Sequence, residues 1–106
     1  MRPYEVMVIL EAGLEEDAVR VIVDRASELI SSGGGTVRRV EHWGRRRLAY
    51  EIEHRTEGYY VLIDATAEPA VVTEVDRMLS LADQVMRHKI IRIPESVANK
   101  RERELT

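Results

Sequence analysis

At 106 residues, with 44% hydrophobic and 33% charged side chains, the chain has the size and composition of one soluble globular domain that buries a single core without staples. The absence of cysteine excludes a disulfide framework and a thiol nucleophile, and no apolar run reaches the roughly 18 residues that a membrane span needs. A net charge of −3 argues against a uniformly basic nucleic-acid binder, yet the charge is segregated: acids gather in Glu11, Glu15, Glu16, Asp17, Glu28 and in Glu68, Glu74, Asp76, Asp83, bases in Arg38 to Arg47 and Arg87 to Arg92.

The start, Met1-Arg2-Pro3-Tyr4-Glu5, lacks the features of a secretory signal, and a cytoplasmic location is expected. Tyr4 to Leu10 reads as a strand, because Val6, Met7, Val8 and Ile9 form a β-branched-rich apolar run closed by Ala12-Gly13. Alternation puts Tyr4, Val6, Val8 and Leu10 on one face and Met7 and Ile9 on the other; two apolar faces suggest a central strand. From about Glu15 to Ser32, Ala18, Val19, Ile22, Val23, Ala26, Leu29 and Ile30 follow the spacing of an amphipathic helix. Glu15, Glu16 and Asp17 suit the positive end of its dipole, and Gly33-Gly34-Gly35 offers the left-handed conformation that ends helices.

Thr36 to Val40 predicts a second strand that continues past Trp43-Gly44 into Leu48 to Glu53, with Gly44 marking a bulge or a turn. His54 to Gly58 reads as a polar loop closing a β-hairpin onto the strongly β-prone Tyr59-Tyr60-Val61-Leu62-Ile63. Glu68-Pro69 opens a second helix with Val72, Val75, Leu79 and Ala82 down one side. After Asp83-Gln84, Val85 to Ile93 reads as the last strand, ended by Pro94. The resulting division is a folded unit over 1–94 and a polar tail over 95–106, expected to be mobile in isolation. The order βαββαβ predicts an α+β, ferredoxin-like fold, with a four-stranded antiparallel sheet and both helices on one face. The other face then stays open, with Met7, Ile9, Tyr60 and Leu62 as its apolar surface and as candidate contacts for a protein partner.

The candidate site begins with Trp43-Gly44-Arg45-Arg46-Arg47-Leu48-Ala49-Tyr50. Between Arg38 and Arg47 five arginines face one glutamate, a local surplus of four positive charges. Guanidinium groups pair with phosphate, and neighbouring aromatic rings stack on unpaired bases, so the run points to RNA before it points to a reaction. The alternative is a solvated hairpin face. Strict alternation sends Arg46 to one side and Arg45 and Arg47 to the other. Trp43, the sole tryptophan, is either a core plug or a stacking or partner-facing residue, and Tyr4 and Tyr50 divide the same way.

The last strand adds Arg87, His88, Lys89 and Arg92. The first and fourth strands should be neighbours, so Arg2 and Tyr4 join these bases, and Tyr4, Arg87 and Arg92 are expected to share one assembly surface. The third strand, Gly58 to Ala65, has no phenylalanine and no Lys/Arg-Gly-Phe-type signature, which disfavours a standalone sequence-reading RNA domain. Catalytic features are thin. His42, His54 and His88 lack the spacing of metal ligands on one helix, and Gly33-Gly34-Gly35 follows a helix instead of opening one. No metal, cofactor or small-molecule substrate is expected.

Arg2-x-Tyr4-Glu5 at the N-terminus, Trp43-Gly44-Arg45-Arg46 followed by Leu48-Ala49-Tyr50 and Ile52, then Gly58-x-Tyr60 and the Arg87-containing strand resemble the bacterial small-subunit ribosomal protein number six family, from Met1 to about Pro94. The departure is Glu51, where the family commonly carries proline, which bears on local strand geometry and on the charge beside Tyr50. The resemblance implies a ferredoxin-like structural protein, not an enzyme, that pairs with small-subunit ribosomal protein eighteen and binds the central domain of small-subunit (16S) ribosomal RNA in the platform, supporting translation. RNA contacts are then expected from Arg2, Tyr4, Trp43, Arg45, Arg46, Arg47, Tyr50, Arg87, Lys89 and Arg92. The competing class is a ferredoxin-like homodimeric small-molecule sensor or cofactor-free enzyme that dimerises through the open sheet face.

Overall fold

The computed structural model of the chain describes residues 1–94; the polar tail expected over 95–106 lies outside the described residues. Six elements follow in the expected order: β1 (Arg2–Glu11), α1 (Glu16–Ser32), β2 (Thr36–Ile52), β3 (Arg55–Ala67), α2 (Pro69–Leu81) and β4 (Val85–Arg92). The strands form one antiparallel sheet in the order β2-β3-β1-β4, the ferredoxin-like arrangement.

The core lies between one face of this sheet and the two helices. Val6, Val8 and Leu10 of β1 and Val61, Ile63 and Ala65 of β3 meet Val19, Ile22, Ala26 and Ile30 of α1 and Val75 and Leu79 of α2. The period of two in the strands and of three to four in the helices aims these side chains at one another. Burying each of the larger ones stabilises the fold by about 1.5–3 kcal/mol before chain entropy is counted. The helix ends match the sequence signals. Pro69 occupies the first turn of α2, while at the end of α1 the Gly34 N–H donates to the Ser31 carbonyl (3.1 Å) and the Gly35 N–H to that of Ile30 (2.9 Å). Gly34 takes φ +84°, the left-handed residue that this pair of bonds requires.

One expectation is corrected. Of the loop expected over 54–58 only His54 lies in a turn: β3 begins at Arg55, and Ile52 pairs with Arg55 across Glu53 and His54, at φ 48° and 67°. Two consecutive left-handed residues match the right-handed twist of a hairpin, as in a type I′ turn. Glu-His lacks the Asn-Gly chemistry by which such turns are read from sequence. Register also defines the open face: Met7 opposes Leu62 and Ile9 opposes Tyr60, all pointing away from the helices as expected.

Candidate nucleic-acid interface

The candidate interface is built by two of the three irregularities in β2, the one between Val37 and Arg39 lying outside it. The first is at Trp43. His42 pairs with Val61 and Gly44 with Tyr60, leaving Trp43 as an extra residue, and Gly44 adopts φ +80°. Trp43 therefore swings onto the open face, 40% exposed and not a core plug. Its ring stacks on Tyr60 with centroids 6.4 Å apart and planes 8° from parallel, and its Nε1–H donates to Glu41 Oε2 at 2.8 Å. Glu41 in turn pairs with Arg39. Two residues past the bulge, Arg46 pairs with Gly58 and faces the same side, its Cζ 5.2 Å from the Trp43 ring centroid. Arg45 and Arg47 oppose Tyr59 and Glu57, so alternation sends them to the helix side.

The second irregularity is larger. Between the Arg47–Glu57 and Ile52–Arg55 pairs, residues 48–51 of β2 face the single residue Thr56 of β3. The surplus backbone folds over the open face. Leu48 is buried there, above Gly58, whose hydrogen sits where a Cβ would come within 2.5 Å of Ile9 Cγ2 and 3.3 Å of Leu48 Cδ2. Tyr50 reaches β4, where the Arg87 Cζ lies 5.3 Å from its ring centroid. In the order β2-β3-β1-β4 the two strands lie about 14 Å apart, three strand spacings, and the two side chains, Tyr50 from this strap of residues 48–51 and Arg87 from β4, bridge that gap over the open face. Ile9 is thus partly roofed by the chain itself, and the apolar patch left open comprises Met7, Leu62, Tyr60 and Trp43, with Ile91, 45% exposed, at the β4 edge. The carboxylates of Glu5 and Asp64, an opposed pair, lie beside it, Asp64 buried.

The last strand divides. Ile9 pairs with Arg87 and Met7 with Lys89, which puts both bases on the open face. Tyr4 pairs with Arg92 and Val8 with His88, which puts these on the helix side, where His88 Nε2 lies 2.7 Å from Asp76 Oδ1 of α2. The expectation that Tyr4, Arg87 and Arg92 share one surface is therefore corrected: strand adjacency holds, but an odd and an even residue of one strand face opposite ways. Arg2, in step with Tyr4, belongs with Arg92. Sequence reasoning missed Leu48 and the strap; the signals were a lone apolar residue after three arginines and a glycine preceding Tyr59-Tyr60.

Among the described residues no group of three or more His, Asp or Glu side chains is placed to hold a metal ion, and no helix is long and apolar enough to cross a membrane.

The sequence pattern described as Ribosomal protein S6 matches residues 3–92. The chain belongs to the ribosomal protein S6 family. It is 50% identical over 92 residues to the small ribosomal subunit protein bS6 of Streptomyces coelicolor and 51% identical to that of Mycolicibacterium paratuberculosis, in both cases over 87% of this chain and 96% of the relative. The crystal structure of 30S ribosomal protein S6 from Thermotoga maritima superposes with a TM-score of 0.83 at 25% identity, covering 97% of each chain. Membership in the S6 family gives a structural role in the small subunit of the cytoplasmic ribosome, hence association with ribosomal RNA and a part in translation. Its relatives are named as ribosomal proteins, not enzymes. In this S6 family member the Trp43-Gly44-Arg45-Arg46 segment holds the bulge, Leu48-Ala49-Tyr50 the strap, and Gly58-x-Tyr60 lies beneath them.

Proposed function

We propose that the chain binds the central domain of small-subunit (16S) ribosomal RNA as a pair with small-subunit ribosomal protein eighteen during platform assembly. The observation that carries the reading is the layout of the open sheet face: an apolar patch of Met7, Leu62, Tyr60 and Trp43 flanked by Arg46 on one side and by Arg87 and Lys89 on the other. The patch, with Ile9 at its roofed end, takes the protein partner. The cations around it take phosphate, which guanidinium groups bind in bidentate fashion. Phosphate contacts position a protein without reading bases, in keeping with the lack of the usual base-stacking signature on β3.

The remaining candidates other than Tyr50 lie on the helix side and extend the contact around both edges of the sheet. Arg45 and Arg47 flank the β2 edge, and Arg2, Tyr4 and Arg92 the end of β4. Such dispersed clusters on a chain of net charge −3 supply little affinity singly. A partner that covers the apolar patch and adds positive charge makes binding cooperative. Filter binding of a central-domain RNA fragment, with and without ribosomal protein eighteen, tests this: weak binding alone and tight binding of the pair are expected, and equal affinities would overturn it.

A further inference from the structure

Resting on the reading of the open face as a phosphate-binding surface, we propose that Tyr50 is a positioning residue that acts through Arg87, not a ring on which an RNA base stacks. Tyr50, in the four-residue excursion of β2, and Arg87, on β4 at the other edge of the sheet, meet across the open face, the guanidinium carbon 5.3 Å from the ring centroid. Leu48, buried above Gly58 and Ile9, anchors the excursion two residues before the ring. Arg87 sits on an edge strand and is exposed; unsupported, its long side chain samples many rotamers and loses that freedom on meeting a phosphate.

A guanidinium resting on an aromatic face is held by the ring quadrupole, while its N–H donors lie in its own plane and point away from the ring. A contact over the ring face leaves the outward N–H groups of Arg87 for phosphate and narrows the directions its side chain samples, which lowers the ordering cost on binding. Arg46 stands in the same relation to Trp43, 5.2 Å from that ring, at the opposite edge of the patch. One face of the sheet thus carries two arginines, each set on a ring supplied by β2.

The test is a double-mutant cycle on the full chain with ribosomal protein eighteen, read by binding to a central-domain RNA fragment. Tyr50→Leu keeps bulk over the strap and removes the π face; it is expected to weaken binding about two- to fivefold, the size of an exposed cation–π contact. Tyr50→Phe, which retains the ring, is expected to bind as the parent does, and Tyr50→Leu is expected to add no further loss in an Arg87→Ala background. Thermal unfolding of each variant, expected to change little at a side chain 60% exposed, separates positioning from folding. An undiminished loss from Tyr50→Leu in the Arg87→Ala background would overturn the inference and give Tyr50 a contact of its own. A silent Tyr50→Leu beside a weakened Arg87→Ala would overturn it as well, showing that Arg87 needs no support. If Arg87→Ala and Arg46→Ala are both silent, the reading of the open face as a phosphate site fails first.

Discussion

Gly44 shows how one residue without a side chain directs one with the largest. Its φ of +80° lies in the region that costs an L residue roughly 1–2 kcal/mol, and nothing lies within 4 Å of where its Cβ would stand. Gly44→Ala is therefore expected to destabilise the fold by about 1–2 kcal/mol through backbone strain alone, measured by urea unfolding, with a change in emission from Trp43, the sole tryptophan. A stability loss without a spectral change would mean that the bulge does not set the ring. The arginine run makes a second expectation at this scale. Removing one phosphate-binding cation lowers the slope of log affinity against log salt by about 0.7–0.9, and Arg46→Ala, on the face shared with Trp43 and Arg87, should show that decrease. An unaltered slope for Arg45→Ala, Arg46→Ala and Arg47→Ala alike would make the run a solvated face. The bulge was legible because glycine inside a β pattern has few other uses, and the split of the three arginines followed from a period of two. Whether Trp43 faced core or solvent was not, since that depends on whether the extra residue of the bulge is counted before or after the indole.

Among the elements, the helices were read almost to the residue and β1 to within two, because each carries an uninterrupted apolar period against one core. β2 and β3 resisted at their joined ends. The stretch from His54 to Gly58 is polar because the hairpin there projects beyond β1, which pairs with β3 only as far as Gly58, so its strands gain no apolar face to advertise them. The strap was invisible for a related reason: Tyr50 and Arg87 are 37 positions apart in sequence, and they meet across the open face where residues 48–51 oppose the single Thr56. β4 gives the sharpest expectation for an element. Arg87 and Arg92 lie on one strand but on opposite faces, so their alanine variants should part company. Arg87→Ala is expected to reduce incorporation into reconstituted small subunits with thermal unfolding nearly unchanged. Arg92→Ala, with Tyr4 and Arg2 on the helix side, should act independently of it, the double variant showing the product of the two effects. A double variant no worse than Arg87→Ala would remove the helix-side patch from the interface; normal incorporation of both would leave the β2 arginines as the sole candidates.

For the whole molecule, the question is how a chain of net charge −3 joins a polyanion. The helices are net acidic, Glu16, Asp17, Asp24, Glu28, Glu74 and Asp76 outnumbering Arg20, Arg25 and Arg77, while the sheet carries Arg45, Arg46, Arg47, Arg87, Lys89 and Arg92 on its open face and edges, with Glu5, Glu41 and Asp64 beside the apolar patch. The dipolar layout orients the molecule toward RNA, and the apolar centre of the sheet face demands a cover that a phosphate backbone does not provide. Met7→Lys discriminates between the possible covers, since Met7 lies half-buried in the middle of that patch, opposite Leu62 and beside Lys89. Were RNA to lie directly on the patch, the added charge would tighten binding and steepen its salt dependence by roughly 0.7–0.9. With ribosomal protein eighteen on the patch, the lysine ammonium must instead be desolvated against an apolar surface, at a cost of several kcal/mol unless the partner moves aside. The expected outcome is loss of pairing, followed through Trp43 fluorescence at the border of the patch, together with a fall in RNA affinity for the mixture toward that of the chain alone. Tighter RNA binding by Met7→Lys with pairing intact would transfer the patch from the protein partner to the RNA.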